Sequence, residues 1–284
     1  MAPAETAEEL AHRLERERVV SNREREFGLD QSLAPFRVGS PRALNTVPLV
    51  RGLEEEIIYA PPSKLAEMLR RDELDAALVS VVEVLFSGRY DILEGIAVAC
   101  MGEVCSVILA HRRPLEEVKE VYCDPASLTS VQLLRVLLAE RGLKPEFKPL
   151  PSYDFAQLPD YALLIGDVAL DLALGPHEHQ VFDLGAAWFE LTQLPFVFAV
   201  WALRRGVDNA PLRRQLREAR DFGVGTLDQI IRTRPEYTED FRRDYFEWHL
   251  HYHLGTDEKR GIARFMELLR KHDFGPVHKP QFVS

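Results

Sequence analysis

Arg37-Val38-Gly39-Ser40-Pro41-Arg42-Ala43-Leu44-Asn45-Thr46-Val47-Pro48-Leu49 is a short β-type run that gives way to polar residues and then to a helical turn starting near Pro48. In open α/β sheets, ligands sit at the carboxyl ends of strands. Asn45 falls at such an end, with one acceptor and two donors on a short side chain. An Asn here also serves as a turn or helix-capping residue, and the segment alone favours that plainer reading. The rest of the chain shifts the balance.

Working outward, strand and helix patterns alternate. Arg37–Ser40 and Glu56–Tyr59 read as strands, with a short helix over Val47–Leu53 between them. Pro62–Arg71 reads as a helix that Ser63 can cap, with Leu65, Met68 and Leu69 on one face. Asp75–Ser80 is a compact apolar strand ending in Ser80, and Val81–Ser87 a short helix. This rhythm predicts a mostly parallel sheet covered by helices. Another apolar strand runs from Leu93 to Met101, is interrupted at Gly102-Glu103, and resumes over Cys105–His111. A second β/α series follows: Val118–Cys123, an amphipathic helix after Ser127 stopped by Gly142, Lys144–Lys148, Ala162–Ile165, and a helix carrying Trp188 and Phe189. Phe196–Leu203 then reads as a return strand. Beyond it the chain reads as helical, over Arg213–Arg220, Phe222–Arg232 behind a capping Asp221, Thr238–His253 and Asp257–His272.

The organisation predicted is therefore a charged extension over residues 1–35, one lobe from 36–104 plus 202–284, and a second, inserted lobe from 105–201. Crossovers near 104 and 202 form a hinge, with a ligand cleft between the lobes.

Bulk properties narrow the function. The chain has 284 residues, 46% of them hydrophobic and 28% charged, enough for a sizeable core. No apolar run reaches the roughly 20 residues a membrane span needs, and the start of the chain lacks the apolar region of a secretory signal. We expect a cytoplasmic protein. With 35 basic and 45 acidic residues the net charge is −10, so nucleic acid and anionic membranes are not expected partners. A small anion can still be held locally, because charges further than about 8 Å are screened. Cys100, Cys105 and Cys123 have no zinc-type spacing and are odd in number, which predicts reduced thiols.

Among chemistry-bearing groups, the turn Ser127–Ser130 is the best anion site, since the first N–H groups of a helix lack internal partners and Ser127, Thr129 and Ser130 add hydroxyls. The plain alternative is a capped helix. Gly166-Asp167 follows an apolar strand, and glycine allows a ligand to approach the backbone; Asp167 can act as a base or simply cap the next helix. His177 and His179 lie in a loop. His249, His251 and His253 cannot all converge if they lie on one helix, and no metal or other cofactor is expected. No phosphate-binding glycine loop or nucleophile elbow occurs. Neutral Asn, Ser and Thr side chains predict ligand positioning more than strong acid–base machinery.

These residues resemble a family. Leu44-Asn45-Thr46-Val47-Pro48-Leu49 is similar to the Leu-Asn-x-x-Pro-Leu segment of the chorismate dehydratases of the futalosine route to menaquinone. Thr129-Ser130-Val131-x-Leu133-Leu134-Arg135, Leu164-Ile165-Gly166-Asp167-x-Ala169-Leu170, Phe182-Asp183-Leu184-Gly185-x-x-Trp188, Leu194–Trp201 and Tyr252-x-Leu254-Gly255 resemble that family in the same order, over about residues 37 to 272.

The resemblance implies a two-lobed, type II periplasmic-binding-protein-like α/β fold, with a central ligand cleft and C-terminal helices. It implies a hydro-lyase that turns chorismate into 3-[(1-carboxyvinyl)oxy]benzoate and water. It also implies Asn45 and Ser106 as the catalytic pair, with Ser127, Thr129 and Ser130 holding a substrate carboxylate; Arg42, Ser80, Gly166 and Asp167 complete the candidate binding residues. Relatives usually carry Tyr before Leu-Asn, where this chain has Ala43. Arg42 beside it can pair with a carboxylate of a dianionic substrate or face solvent. Two other readings stay open: a non-catalytic small-anion-binding protein of the same fold, and the related 1,4-dihydroxy-6-naphthoate synthase, which needs a histidine-type base in the cleft.

Overall fold

Central strands form where the sequence is apolar without alternation, the pattern of strands covered on both faces. Strand β3 (Ala76–Ser80) is buried up to its last residue. The computed structural model describes residues 33–124, 127–207 and 209–284, so the reading of the charged extension falls almost wholly outside the described residues. Strand β1 (Val38–Ser40) pairs parallel with both β2 (Ile57–Tyr59) and β3. The long strands β4 (Tyr90–Cys100) and β10 (Phe196–Arg204) are antiparallel to each other, and β10 is antiparallel to β3. With β11 (Gln281–Val283) they form a six-stranded sheet, ordered β11-β4-β10-β3-β1-β2.

Between β4 and β10 the chain builds a five-stranded sheet from β5 (Val107–His111), β6 (Glu120–Cys123), β7 (Glu146–Pro149), β8 (Tyr161–Ile165) and β9 (Gln180–Asp183), ordered β7-β6-β8-β5-β9. The result is a two-lobed, periplasmic-binding-protein-like α/β fold, each lobe with its own sheet. The helices that cover the sheets are α1 (Pro62–Arg70), α2 (Val81–Ser87), α3 (Leu128–Glu140), α4 (Gly166–Leu174), α5 (Leu184–Thr192), α6 (Ala210–Gly225), α7 (Leu227–Thr233), α8 (Glu239–Asp244) and α9 (Thr256–Lys271). Among the described residues, no helix is long and apolar enough to cross a membrane.

Several local expectations change. Ser63 does not cap α1: Pro61 is the cap residue and Pro62 opens the helix, where a missing N–H costs nothing. Asp221 does not begin a new helix. It lies inside α6, paired with Arg220 at 2.6 Å, because the buried stripe Leu212, Leu216, Ala219 and Gly223 runs through unbroken. The Thr238–His253 helix ends early: α8 stops at Asp244, a π-type turn spans Tyr245–His249, and the chain then runs extended. The cause is the edge of β4. Strand β11 covers only Asp91–Leu93, and the open backbone beyond is met by His251, which exchanges N–H···O bonds with Ala99 at 2.9 and 3.1 Å; buried backbone groups must find partners. For the same reason the C-terminus is a strand, β11, where only helices are expected.

Asp75 ties three neighbouring strands together. Its carboxylate accepts the Arg37 N–H at 2.9 Å and meets the Arg37 and Arg204 guanidiniums at 3.3 and 2.6 Å, while its own N–H and C=O bond to Arg37 and Arg204 backbones. Burial works against the charge, but the Arg37 hydrogen bonds and the two cations outweigh it and hold the carboxyl below its ordinary value of 3.8. A depressed carboxyl stabilises the fold above its unfolded-state pKa, and that contribution is lost as pH falls through the folded one. Melting of Asp75→Asn against wild type should therefore show a clear deficit at pH 7 that narrows as pH falls below about 4, the unfolded-state value, and is gone once pH has passed below the folded one. A deficit independent of pH would exclude the charge as its source.

Candidate functional site

The segment after β1 folds into a 3-10 turn, Leu44–Leu49, with Pro48 inside it. Thr46 fixes the turn by donating its hydroxyl to the Pro41 and Ala43 carbonyls, each at 2.9 Å. Leu44, Thr46, Pro48 and Leu49 are buried, leaving Asn45 half-exposed. The cap position is Ala43, so Asn45 is not a helix cap. The turn is pressed against α6: a Cβ at Gly223 would stand 1.9 Å from the Pro48 carbonyl oxygen.

The other half of the site is set at the crossing between sheets. Asp183 caps α5 by accepting the Ala186 N–H at 2.9 Å. The same carboxylate accepts the N–H groups of Val104 (3.1 Å) and Cys105 (2.8 Å). Burial pushes this carboxyl up and the three N–H donors oppose it. Cys105 takes the left-handed conformation, φ 61°, and the next residue, Ser106, is buried. The Ser106 carbonyl accepts the Gly166 N–H at 2.7 Å.

Asn45 and Ser106 meet at one atom. Burial pushes the Tyr245 hydroxyl well above its ordinary pKa, and the Ser106 and Asn45 side chains beside it pull the other way. Tyr245 is fully buried on the π-type turn, and such turns recur at functional sites. It ends an aromatic row at helical spacing, with Tyr237 and Phe241 5.3 Å apart and Phe241 and Tyr245 5.6 Å apart. Tyr237 at the far end donates to the Asp167 carbonyl and the Asp171 carboxylate at 3.2 and 3.0 Å. Asp167 itself accepts the Leu44 N–H. It is open to solvent, yet enough protein flanks it for burial to push its carboxyl up against that hydrogen bond. Asn45, Ser106, Gly166 and Asp167 are thus one cluster.

A second cluster lies at the start of α3. The Thr129 hydroxyl hydrogen-bonds Ser80, at the end of β3, and donates to the Phe198 carbonyl at 3.2 Å. Ser127 and Ser130 are buried, and the Ser127 hydroxyl has no hydrogen-bond partner among the described residues. Arg42 joins neither cluster: it is exposed, with its guanidinium 4.5 Å above the Tyr59 ring, a cation–π contact.

Residues 36–271 match the menaquinone biosynthesis family. The chain belongs to that family. It is similar to the chorismate dehydratase of Thermus thermophilus, at 32% identity over 274 residues, 88% of this chain and all of the relative. A Campylobacter jejuni chorismate dehydratase is 27% identical over 228 residues, 79% of this chain and 89% of that one. The fold of this menaquinone biosynthesis protein also matches a crystal structure from Archaeoglobus fulgidus (TM-score 0.66, 16% identity, 84% of this chain and 98% of that one). It matches the alkanesulfonate-binding protein SsuA of Xanthomonas axonopodis pv. citri bound to MOPS (TM-score 0.64, 15% identity, 88% and 96%).

For this family member, sequence reasoning missed Tyr245. It lies in a stretch read only as part of the Thr238–His253 helix, and nothing in that pattern marks the hydroxyl as the meeting point. Gly223 also escaped notice, being one small residue inside a helix. Replacing Gly223 with Ala forces the Pro48 backbone away from α6. The variant should lose about 1–3 kcal/mol of stability, typical of overpacking, and should turn over more slowly than wild type; a thermal melt paired with an activity assay tests both.

Proposed function

We propose that the protein is a chorismate dehydratase: a hydro-lyase that converts chorismate to 3-[(1-carboxyvinyl)oxy]benzoate and water, the first step of the futalosine route to menaquinone, carried out in the cytoplasm. The observation that carries this reading is the convergence of Asn45, from the first lobe, and Ser106, from the crossing into the second, on the Tyr245 hydroxyl. Support also comes from the chorismate dehydratase relatives. We keep the division into lobes with the first crossing near 104, and move the second back ahead of Phe196, because β10 pairs along its length within the first sheet.

The chemistry suits such a site. Loss of water turns a cyclohexadiene into a benzene ring, so the reaction runs downhill and the protein needs chiefly to align the departing hydroxyl and the ring proton. In a dry cleft a carboxylate gains proton affinity, because desolvation disfavours its charge. The substrate's own enolpyruvyl carboxylate takes the ring proton and returns it to the departing hydroxyl, which leaves as water while the C–H electron pair completes the aromatic ring; the amide of Asn45 and the hydroxyl of Ser106 hydrogen-bond that departing oxygen. Tyr245 positions both. The Ser127 hydroxyl and the N–H groups at the start of α3, which have no partner within the helix, receive a substrate carboxylate.

Incubating the purified protein with chorismate should yield the aromatic product, followed by absorbance and mass; folded protein that yields none refutes the proposal. Asn45→Leu should abolish turnover with an unchanged melt. Tyr245→Phe should lower kcat about tenfold or more, equivalent to about 1.4 kcal/mol of transition-state stabilisation. Wild-type turnover in Asn45→Leu would remove that residue from the mechanism.

A further inference from the structure

Beyond the π-type turn the chain is extended, and in extended chain residues two apart project to the same side. His251 and His253 therefore face one way, their ring centroids 5.1 Å apart. The expectation that these histidines do not converge assumed a helix through His253, which the chain does not form. Opposite them is Glu258, in the first turn of α9 and only 3% exposed. Its Oε1 lies 3.1 Å from His251 Nε2, and its Oε2 lies 3.2 Å from His253 Nε2. Oε2 also accepts the Gly255 N–H at 2.7 Å. Gly255 lets the loop wrap this tightly: a Cβ there would stand 3.2 Å from His253 Nε2 and 3.1 Å from Oε2.

We propose that His251, His253 and Glu258 bind a transition-metal ion of the zinc type, with water completing its coordination. All three ligand atoms lie within 4.8 Å of one another. Two ligands held at 2.0–2.2 Å around a tetrahedral ion stand about 3.3 Å apart, close to the separations seen from Glu258. Two imidazoles and one carboxylate suit zinc, nickel or copper rather than calcium or magnesium, which take oxygen donors. The charge balance points the same way. A buried carboxylate needs a compensating partner. A divalent cation supplies the missing charge, and the exposed ring of His253 gives it a way in. Because His251 pairs with Ala99 on β4, the ion would brace the closing segment and α9 against the strand that leads into the second lobe. It takes no part in the chemistry of the cleft.

Tag-free, EDTA-stripped full-length protein titrated with ZnCl₂ tests the site. Calorimetry should show one equivalent bound with micromolar or tighter affinity, and zinc should raise the melting temperature. His253→Gln replaces an exposed ring and should melt like the metal-free wild type, yet bind zinc about a hundredfold or more weakly; Glu258→Gln should lose the zinc-dependent rise. Glu103, Cys105 and His249 also stand within 4.8 Å of one another, so Cys105→Ser is the control and should leave the titration unchanged. No stoichiometric binding to wild type, binding undiminished in His253→Gln, or binding lost in Cys105→Ser would each overturn the assignment.

Discussion

A single buried carboxylate, that of Asp183, holds the two halves of the site in register. It terminates β9, opens α5 and gathers the N–H groups of Val104 and Cys105 from the crossing segment. Burying a carboxylate costs several kcal/mol unless it is well bonded, and charge-assisted bonds to backbone N–H groups are about twice as strong as neutral ones. The crossing is packed just as closely from α5, where a Cβ at Gly185 would stand 2.4 Å from the Gly102 carbonyl oxygen. Ser106 follows directly. Its meeting with Asn45 at Tyr245 presupposes that the crossing keeps this shape.

Much of the fold is legible in the sequence, because the deciding signals are local. Asp75–Ser80 and Phe196–Leu203 read as strands since a run that apolar has only one comfortable home, inside a sheet covered on both sides. The break at Gly102-Glu103 marks the end of β4 because glycine there takes φ 104°. The parts that were not legible depend on distant partners. Nothing near His251 says that β4 has an uncovered edge, and nothing near Gln281 says that the same edge has room for a strand. Asp221 looks like a cap by residue type, yet a buried stripe on the opposite face of α6 decides its place.

The site divides along the same line. Asn45 and Asp167, with Gly166 beside it, can be picked out at strand ends, Ser106 enters only through the family resemblance, and the fold brings the four together. Ser80 and Thr129 also meet. Arg42 does not join them: an aromatic ring beside it, Tyr59, gives its cation a nearer partner. Tyr245 looks like core because it is core, apart from one oxygen. The pair His251 and His253 shows how much rests on the period assumed. Read on a helix they diverge; read on extended chain they share a face.

Under the proposed function, the hydroxyl contact between Ser80 and Thr129 sets a limit on selectivity. An oxygen of an incoming ligand does not find these groups idle; it must displace a bond that the protein already makes to itself, and the gain is only the difference between the two. A neutral ligand oxygen would roughly break even in that exchange, whereas an anionic one would profit. Under the proposed function, discrimination at this end of the cleft would be set by the ionisation of molecules of similar shape rather than by how many hydrogen bonds they offer.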